Sequence, residues 1–470
     1  MKSICRAALI LLALGSSPIG AVASIGGDDE KAKDLGSRQP GLSIASRFAA
    51  IKSEFAAEQD RLREALEKIN DPAEANRVNR KLGPDEVAYC RRMVELAATA
   101  PADPGARDAL IWVIDHPGRS EVGPFGDLFA RAAALLVRHH GDDPEAVRIG
   151  LGIDNNASFQ RDALLYGFLA AAKGREQMGL ARLAMAQYLE QKAKFAHGTR
   201  NMKARAKYKL KGVMDDYGKL VDKEREQSAE EFAYILALRE SDPAKLRAEA
   251  ERLYEEVASD YSDVPHITLR HREIEALAKA PNPTWNGKPL SDDERKQLAE
   301  LVGRKQTLGQ VAEGRLDEMH NLVVGKPAPE IDGVDFEGKP LKLSDYQGKV
   351  VALVFWGTWC GPCMRAIPGE RDLVERLKGK PFALLGINCD GDKQAAIKAI
   401  SSERITWPNW HDGAPDTGPI ARRYHVRSYP TVLVLDARGI IRHKDLHGDA
   451  IGEAVEKILA APSAEAGPTP

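Results

Sequence analysis

The apolar run Val350 to Phe355 (VVALVF) leads directly into Trp356-Gly357-Thr358-Trp359-Cys360-Gly361-Pro362-Cys363, and this junction constrains the fold more than any other stretch. A strand without alternation is covered on both faces, so the run predicts a central strand of a sheet with helices on each side. A helical pattern from about Cys363 to Lys378 follows, which puts Cys360 at a helix N-terminus. Unpaired N–H groups and the helix dipole stabilise a thiolate there. The two intervening residues let Cys363 return within disulfide reach of Cys360 on the first turn. Pro362 suits that turn, since its missing N–H costs nothing, and Gly361 completes the dipeptide. Cys360 is therefore expected to be the exposed nucleophile that attacks a partner disulfide, and Cys363 the thiol that resolves the mixed disulfide.

Two other chemistries for the pair fare worse. A zinc site wants a second ligand pair at suitable spacing, and the other cysteines (Cys5, Cys90, Cys389) are isolated. A purely structural disulfide across so short a loop restricts the unfolded chain little. Cys90 and Cys389 are expected to be buried thiols, and nothing in the sequence supports a bridge between them. No metal or cofactor is expected.

Around the junction the texture is that of an α/β domain. Asp335 to Gly338 predicts a hairpin turn and Leu341 to Ser344 a short strand. After the motif come a strand at Phe382 to Asn388 and helices near Asp392 to Ser402 and Asp416 to Tyr424. Strands Thr431 to Leu435 and Ile440 to Lys444, joined by the turn Asp436 to Gly439, precede a helix at Ala450 to Ala460. This order implies a mixed sheet with helices on both faces.

The stretch from about Gly325 to Leu459 resembles the thioredoxin superfamily in its extracytoplasmic TlpA/ResA-like (redoxin) branch. The residues that carry the resemblance are VVALVFWGTWCGPCMRAIP, GINCD and HVRSYPTVLVLDARGIIRHKDLHG. The resemblance implies a thioredoxin-like fold, a redox-active Cys360–Cys363 disulfide and a cis-proline at Pro430, preceded by Tyr429, facing the pair. Pro368 matches the proline inside the family's active-site helix, and Trp356, Trp359 and Tyr429 are expected at the apolar rim that receives a client. One departure concerns proton transfer. Where thioredoxin carries a buried acid before its motif, this chain has Val354, and whether Glu403, Asp390 or water takes that part stays open. The Gly-Pro dipeptide is that of thioredoxin, whose potential lies near about −270 mV, and favours a reducing role fed by a membrane electron source. A thiol peroxidase is disfavoured, because Leu353 and Gly357 stand where peroxiredoxins carry Pro and Thr ahead of the cysteine.

The rest of the chain is a different kind of sequence. With 470 residues, more than one domain is expected. From about 45 to 280 the pattern is helical: Phe48, Ile51, Phe55, Leu62, Leu66 and Ile69 recur at helical spacing. Asn70-Asp71-Pro72, Gly83-Pro84-Asp85 and Asp143-Pro144 supply helix starts. LRAEAERLYEEVASDYSDV is similar to the second helix of a tetratricopeptide unit, yet no sustained period appears, so the region is an all-α helical bundle or a set of irregular helical repeats. Residues 281–324 form a helical linker, 325–461 the thioredoxin-like domain, and 462–470 a disordered tail. At the other end, Lys2 and Arg6, the run Ala7 to Leu14 and Ala21-Val22-Ala23 make residues 1–23 a cleavable signal peptide, followed by a flexible leader over 24–44. The run falls short of the ~20 residues that span a bilayer, which disfavours an uncleaved anchor.

The expected function is a secreted or periplasmic thiol-disulfide oxidoreductase acting on protein disulfide or thiol clients, with a helical domain that binds a protein partner. The alternative is a helical scaffold whose redox domain only regulates it. Lys+Arg 67 against Asp+Glu 69 leaves a net charge of −2, which gives no case for nucleic acid.

Overall fold

The computed structural model describes residues 42–461, apart from 68, 70, 116–123, 153–158, 210–237, 239, 282–283, 286–287, 293–294, 297–298, 300–302, 304–305 and 416–417. The expected signal peptide, nearly all of the leader and the C-terminal tail lie outside the described residues. The chain divides into two compact units, with the division at Gly314.

The first unit is helical. Its helices are α1 (Ile44–Leu66), α2 (Pro72–Leu82), α3 (Glu86–Thr99), α4 (Pro104–Asp115), α5 (Pro124–His140), α6 (Pro144–Arg148), α7 (Phe159–Ala171), α8 (Arg175–Lys209), α9 (Pro243–Asp260) and α10 (Leu269–Lys279). The expected start signals operate as capped ends. Asp71, Asp85 and Asp143 each accept a backbone N–H from the first turn, with proline as the first helical residue behind Asp71 and Asp143; Asp242, not singled out in the sequence, caps α9 in the same way. Of the apolar stripe read on α1, Ile51 and Phe55 are buried and the rest only partly so. Phe55 meets Tyr89 of α3 and Trp112 of α4 edge to face, with centroids 5.1 and 5.2 Å apart. Cys90 is fully buried beside them on α3. Further along, the Tyr254 hydroxyl of α9 donates to Glu190 of α8 at 3.0 Å. A two-stranded ribbon, β1 (Thr284–Trp285) and β2 (Lys288–Pro289), breaks the helical pattern where Pro281 and Pro283 stand. Helix α11 (Leu308–Asn321) follows.

The second unit is an α/β domain with a mixed sheet. Its elements are the hairpin β3 (Asp332–Val334) and β4 (Pro340–Lys342), β5 (Val350–Trp356), α12 (Gly361–Arg376), β6 (Phe382–Asn388), α13 (Lys393–Ser402), β7 (Asn409–His411), α14 (Pro419–Arg423), β8 (Thr431–Leu435), β9 (Ile441–Lys444) and α15 (Asp449–Ala460). The five-stranded sheet runs β7-β6-β5-β8-β9. Strand β5 is central, parallel to β6 and antiparallel to β8. Every residue of β5 is buried, and its side chains serve two cores in alternation. Val350, Ala352, Val354 and Trp356 pack with Ile367 and Leu373 of α12 and Ile451 and Val455 of α15. Val351, Leu353 and Phe355 pack on the other face with Leu341, Ala421 and Tyr424. That is why the run is apolar without alternation.

The expected strand at Leu341 to Ser344 is β4 followed by a 3-10 turn, Leu343–Tyr346. Strand β7, which the sequence pattern does not show, exists because it pairs with β6 from Gly386 to Asn388.

Candidate functional site

Strand β5 ends at Trp356, and Cys360 is the N-cap of α12. Between them the chain makes a tight loop closed by Cys360 N–H donating to the Gly357 carbonyl at 3.1 Å. Gly357 must be glycine. A Cβ there would come within 2.6 Å of the Trp359 indole nitrogen. Cys360 and Cys363 are joined by a disulfide, with Cα atoms 5.2 Å apart. The Cys363 N–H, an otherwise unpaired first-turn donor, points at Cys360 Sγ from 3.1 Å. This amide and the helix dipole would stabilise a Cys360 thiolate once the bond is reduced.

The structure changes one expectation about the pair. Cys360 is 4 % exposed and Cys363 2 %, so the expected contrast between an open and a covered sulfur is absent in the disulfide form. Both sit in one apolar cluster, with Trp359, Met364 and Tyr429 packed against it. The open side of the motif is the exposed Gly361-Pro362 dipeptide.

The aromatic residues divide. Trp359 is half-buried and meets Tyr429 edge to face at 4.9 Å, while its indole N–H donates to the Cys389 carbonyl at 3.1 Å. Trp356, expected at the rim, is instead core. It is 4 % exposed, and its indole N–H donates to Asn409 Oδ1 at 2.8 Å. The cause is that β5 is covered on both faces to its last residue, and Gly386 leaves room for the Asn409 amide that the indole reaches. The Tyr429-Pro430 bond is cis, and the half-buried Tyr429 joins the cluster that holds the cysteines.

Asp390 proves to be the support of the motif loop. Its carboxylate accepts from Thr358 N at 3.0 Å, Thr358 Oγ1 at 2.7 Å and Asn388 Nδ2 at 2.6 Å. The signal was an Asn388-Cys389-Asp390 sequence closing an apolar strand, where polar groups can only be buried if they bond one another. Removing the carboxylate leaves these donors stranded. Asp390→Ala is expected to cost about 2 kcal/mol in urea unfolding of the domain. A change inside the error of the midpoint would show that the bonds contribute nothing.

Among the acids weighed as a substitute for the missing one at Val354, Asp390 is engaged at Thr358, and Glu403 offers its backbone carbonyl to Arg371. The inner face of α12 carries another. Glu370 lies on the same buried face as Cys363 and Ile367, is 8 % exposed, and burial raises its carboxyl to about 7. Cys389 and Cys90 are free buried thiols, as expected. Burial pushes the Cys389 thiol up to about 12 against a small opposing effect of the Tyr429 hydroxyl. Burial pushes the Cys90 thiol up to about 12 too, with Glu86 and Asp85 adding to it. Both stay protonated near neutrality and are poor nucleophiles. Among the described residues no cluster of metal-ligating side chains occurs, and no helix is long and apolar enough to cross a membrane.

The C-terminal unit is similar to known proteins. Residues 324–444 match the AhpC/TSA family. The thiol-disulfide oxidoreductase ResA of Bacillus anthracis is 31% identical over 148 residues, which are 31% of this chain and 83% of that protein. ResA of Geobacillus kaustophilus is 31% identical over 138 residues, 29% of this chain and 77% of that protein. Among solved structures, the thioredoxin domain of a thiol-disulfide oxidoreductase from Bacteroides vulgatus is 29% identical and covers 30% of this chain and 99% of that one, with a TM-score of 0.28.

Proposed function

The chain belongs to the ResA family of thiol-disulfide oxidoreductases, and from this premise we propose that Cys360 and Cys363 reduce disulfides of protein clients outside the cytoplasm. The observation that carries the reading is the placement of the pair: a disulfide at the N-terminus of α12, with a first-turn amide on Cys360 Sγ and its open side at Gly361-Pro362.

The steps follow from that placement. The Cys360 thiolate attacks one sulfur of the client disulfide. The client S–S bond breaks, a mixed disulfide forms, and the first client sulfur leaves as a thiolate that takes a proton. Cys363, having released its proton, then attacks Cys360 Sγ as the thiolate, forming the Cys360–Cys363 bond and breaking the mixed disulfide, so that the second client sulfur leaves as a thiolate and takes a proton. Two electrons and two protons have passed to the client, so a second dithiol must return two electrons to the pair. A membrane electron donor fits that requirement. The Gly361-Pro362 dipeptide supports the reducing direction, because Gly-Pro between the cysteines is the thioredoxin arrangement. The basic, apolar and small-residue order of residues 1–23 supports export. The helical unit is proposed to hold a protein partner near the redox domain.

The test is covalent trapping. Full-length Cys363→Ser, incubated with disulfide-bonded clients, should accumulate mixed disulfides that dissolve on adding dithiothreitol. Cys360→Ser should form none. Equal adducts on both variants would refute the assignment of the attacking sulfur, and none on either would refute protein disulfide exchange.

A further inference from the structure

The loop that ends in Tyr429-Pro430 is held from outside the sheet. Three of its residues before Tyr429 are unremarkable in sequence: His425, Val426 and Arg427. In the structure, His425 Nε2 lies 2.7 Å from Asp317 Oδ2, and the Arg427 guanidinium pairs with Glu318. Lys444 of β9 donates to the other carboxylate oxygen of Glu318 at 2.7 Å. Both acids belong to the last turns of α11, within the same unit as the sheet. Glu318 is thus the fork that ties the loop to β9, the strand paired with β8 behind Pro430.

Two features show that these contacts do more than decorate the surface. His425 has φ of 48°, a left-handed backbone that a non-glycine residue keeps only when its surroundings hold it. Its backbone N–H donates to Arg422 O at 3.1 Å and its ring sits on Asp317, so the bend is held from both sides. Glu318, for its part, has a side chain only 15% exposed and carries Arg315, Arg427 and Lys444 around it. Burial alone would raise its carboxyl, but the charges of Arg427 and Lys444 outweigh that and hold it at about 2. Glu318 is therefore ionised at neutral pH and able to pair with both cations. Arg427 and Ser428 themselves are exposed, and the Thr431 hydroxyl donates to Ser428 O at 2.7 Å, so the Glu318 pair holds the loop from the side opposite its own strand.

We propose that Asp317 and Glu318 are positioning residues for client binding, presetting the loop that carries Tyr429 and Pro430 so that a client segment docks against it without first ordering it. The proposal rests on the reading of the domain as a protein-disulfide reductase. Its physical content is preorganisation: a loop already held in its bound shape loses less freedom on binding, and the benefit falls on affinity. The sulfur chemistry stays where it is, because Cys360 and Cys363 are set by α12 and by Asp390, neither of which touches Glu318.

The experiment uses full-length protein with two disulfide substrates, insulin, which must lie along the loop, and hydroxyethyl disulfide, which need not. Glu318→Gln and Asp317→Asn should each raise KM for insulin about fivefold with kcat nearly unchanged. The rate with hydroxyethyl disulfide and the reduction potential of the pair should stay at their wild-type values. Arg427→Gln leaves the Glu318–Lys444 pair in place and guards against a Glu318 variant that folds poorly; it should show the same KM rise. The double variant Glu318→Gln/Arg427→Gln should be no worse than the poorer single one. Equal slowing with both substrates, or an unchanged KM for insulin in a wild-type background that turns insulin over, overturns the positioning role alone. A wild-type protein that does not reduce insulin overturns the reductase reading and this inference with it.

Discussion

Replacement of Cys360 by Ser should lower turnover of a protein disulfide by at least ~1,000-fold, a loss of about 4 kcal/mol in transition-state stabilisation. The hydroxyl matches the thiol in shape, so the loop, the cap of α12 and the packing of Trp359 and Tyr429 should survive; what disappears is the nucleophile. A thiol can be ionised near neutrality by a helix N-terminus, whereas a hydroxyl there cannot be. Cys363→Ser behaves differently. Its first attack should run within about tenfold of wild type, since Cys360 and the Cys363 amide are unchanged, but the second step cannot follow. Single-turnover kinetics with a fluorescently labelled disulfide separate the two: no burst for Cys360→Ser, and a full burst without turnover for Cys363→Ser. A burst in Cys360→Ser would move the nucleophile elsewhere, and the raised thiols of Cys389 and Cys90 make them unfit to take the part.

Glu370 sets the second large effect. Its carboxyl titrates at about 7 in the folded domain against 4.5 for an ordinary glutamate, and burial is the cause. The folded state therefore holds a proton that the unfolded chain releases between those values, and stability falls as pH rises through that window. Below about pH 4.5 both states are protonated and the group contributes nothing; above about pH 7 both are ionised and the full penalty stands. At about 1.4 kcal/mol for each pH unit between the two values, the penalty reaches about 3 kcal/mol. Glu370→Gln removes the charge and keeps the volume. The variant should match wild type at pH 4.5 and exceed it by up to about 3 kcal/mol at pH 8, in urea unfolding followed through the tryptophans of the C-terminal unit. Parallel pH profiles for the two proteins would refute the assignment. Glu370 shares the buried face of α12 with Cys363, so a carboxyl raised toward neutrality lies on the same helix as the cysteine pair.

Much of this was legible in the chain. The six apolar residues Val350 to Phe355 read as a doubly covered strand because β5 does feed a core on each face. The cysteine pair read as a helix-cap disulfide because capping depends only on local order along the chain. The Asp71-Pro72 and Asp143-Pro144 starts in the helical unit read as helix caps for the same reason. Where reading failed, the deciding partner was far away in sequence. Strand β7 is three residues whose pairing with β6 makes them a strand. Trp356 and Trp359 are alike in sequence, yet the first ends a strand covered on both faces and bonds Asn409, while the second lies beyond the strand against Tyr429 and is half-buried. That Asp390 supports the motif loop through Thr358, 32 positions back in the chain, could not be read from its neighbours.

The chain alone therefore determined the two kinds of domain, the central strand and the place of the Cys360–Cys363 pair at a helix N-terminus, since periodicity, capping and a two-residue spacing are properties of neighbours along the backbone. Only the tertiary structure decided which tryptophan is core and which stays partly open, that Cys360 is covered in its oxidised form, that Glu370 is a buried acid, and that Asp317 and Glu318 reach residues more than a hundred positions away. Burial and ion pairing depend on what the folded chain brings alongside each group. That information is not local to any stretch of sequence.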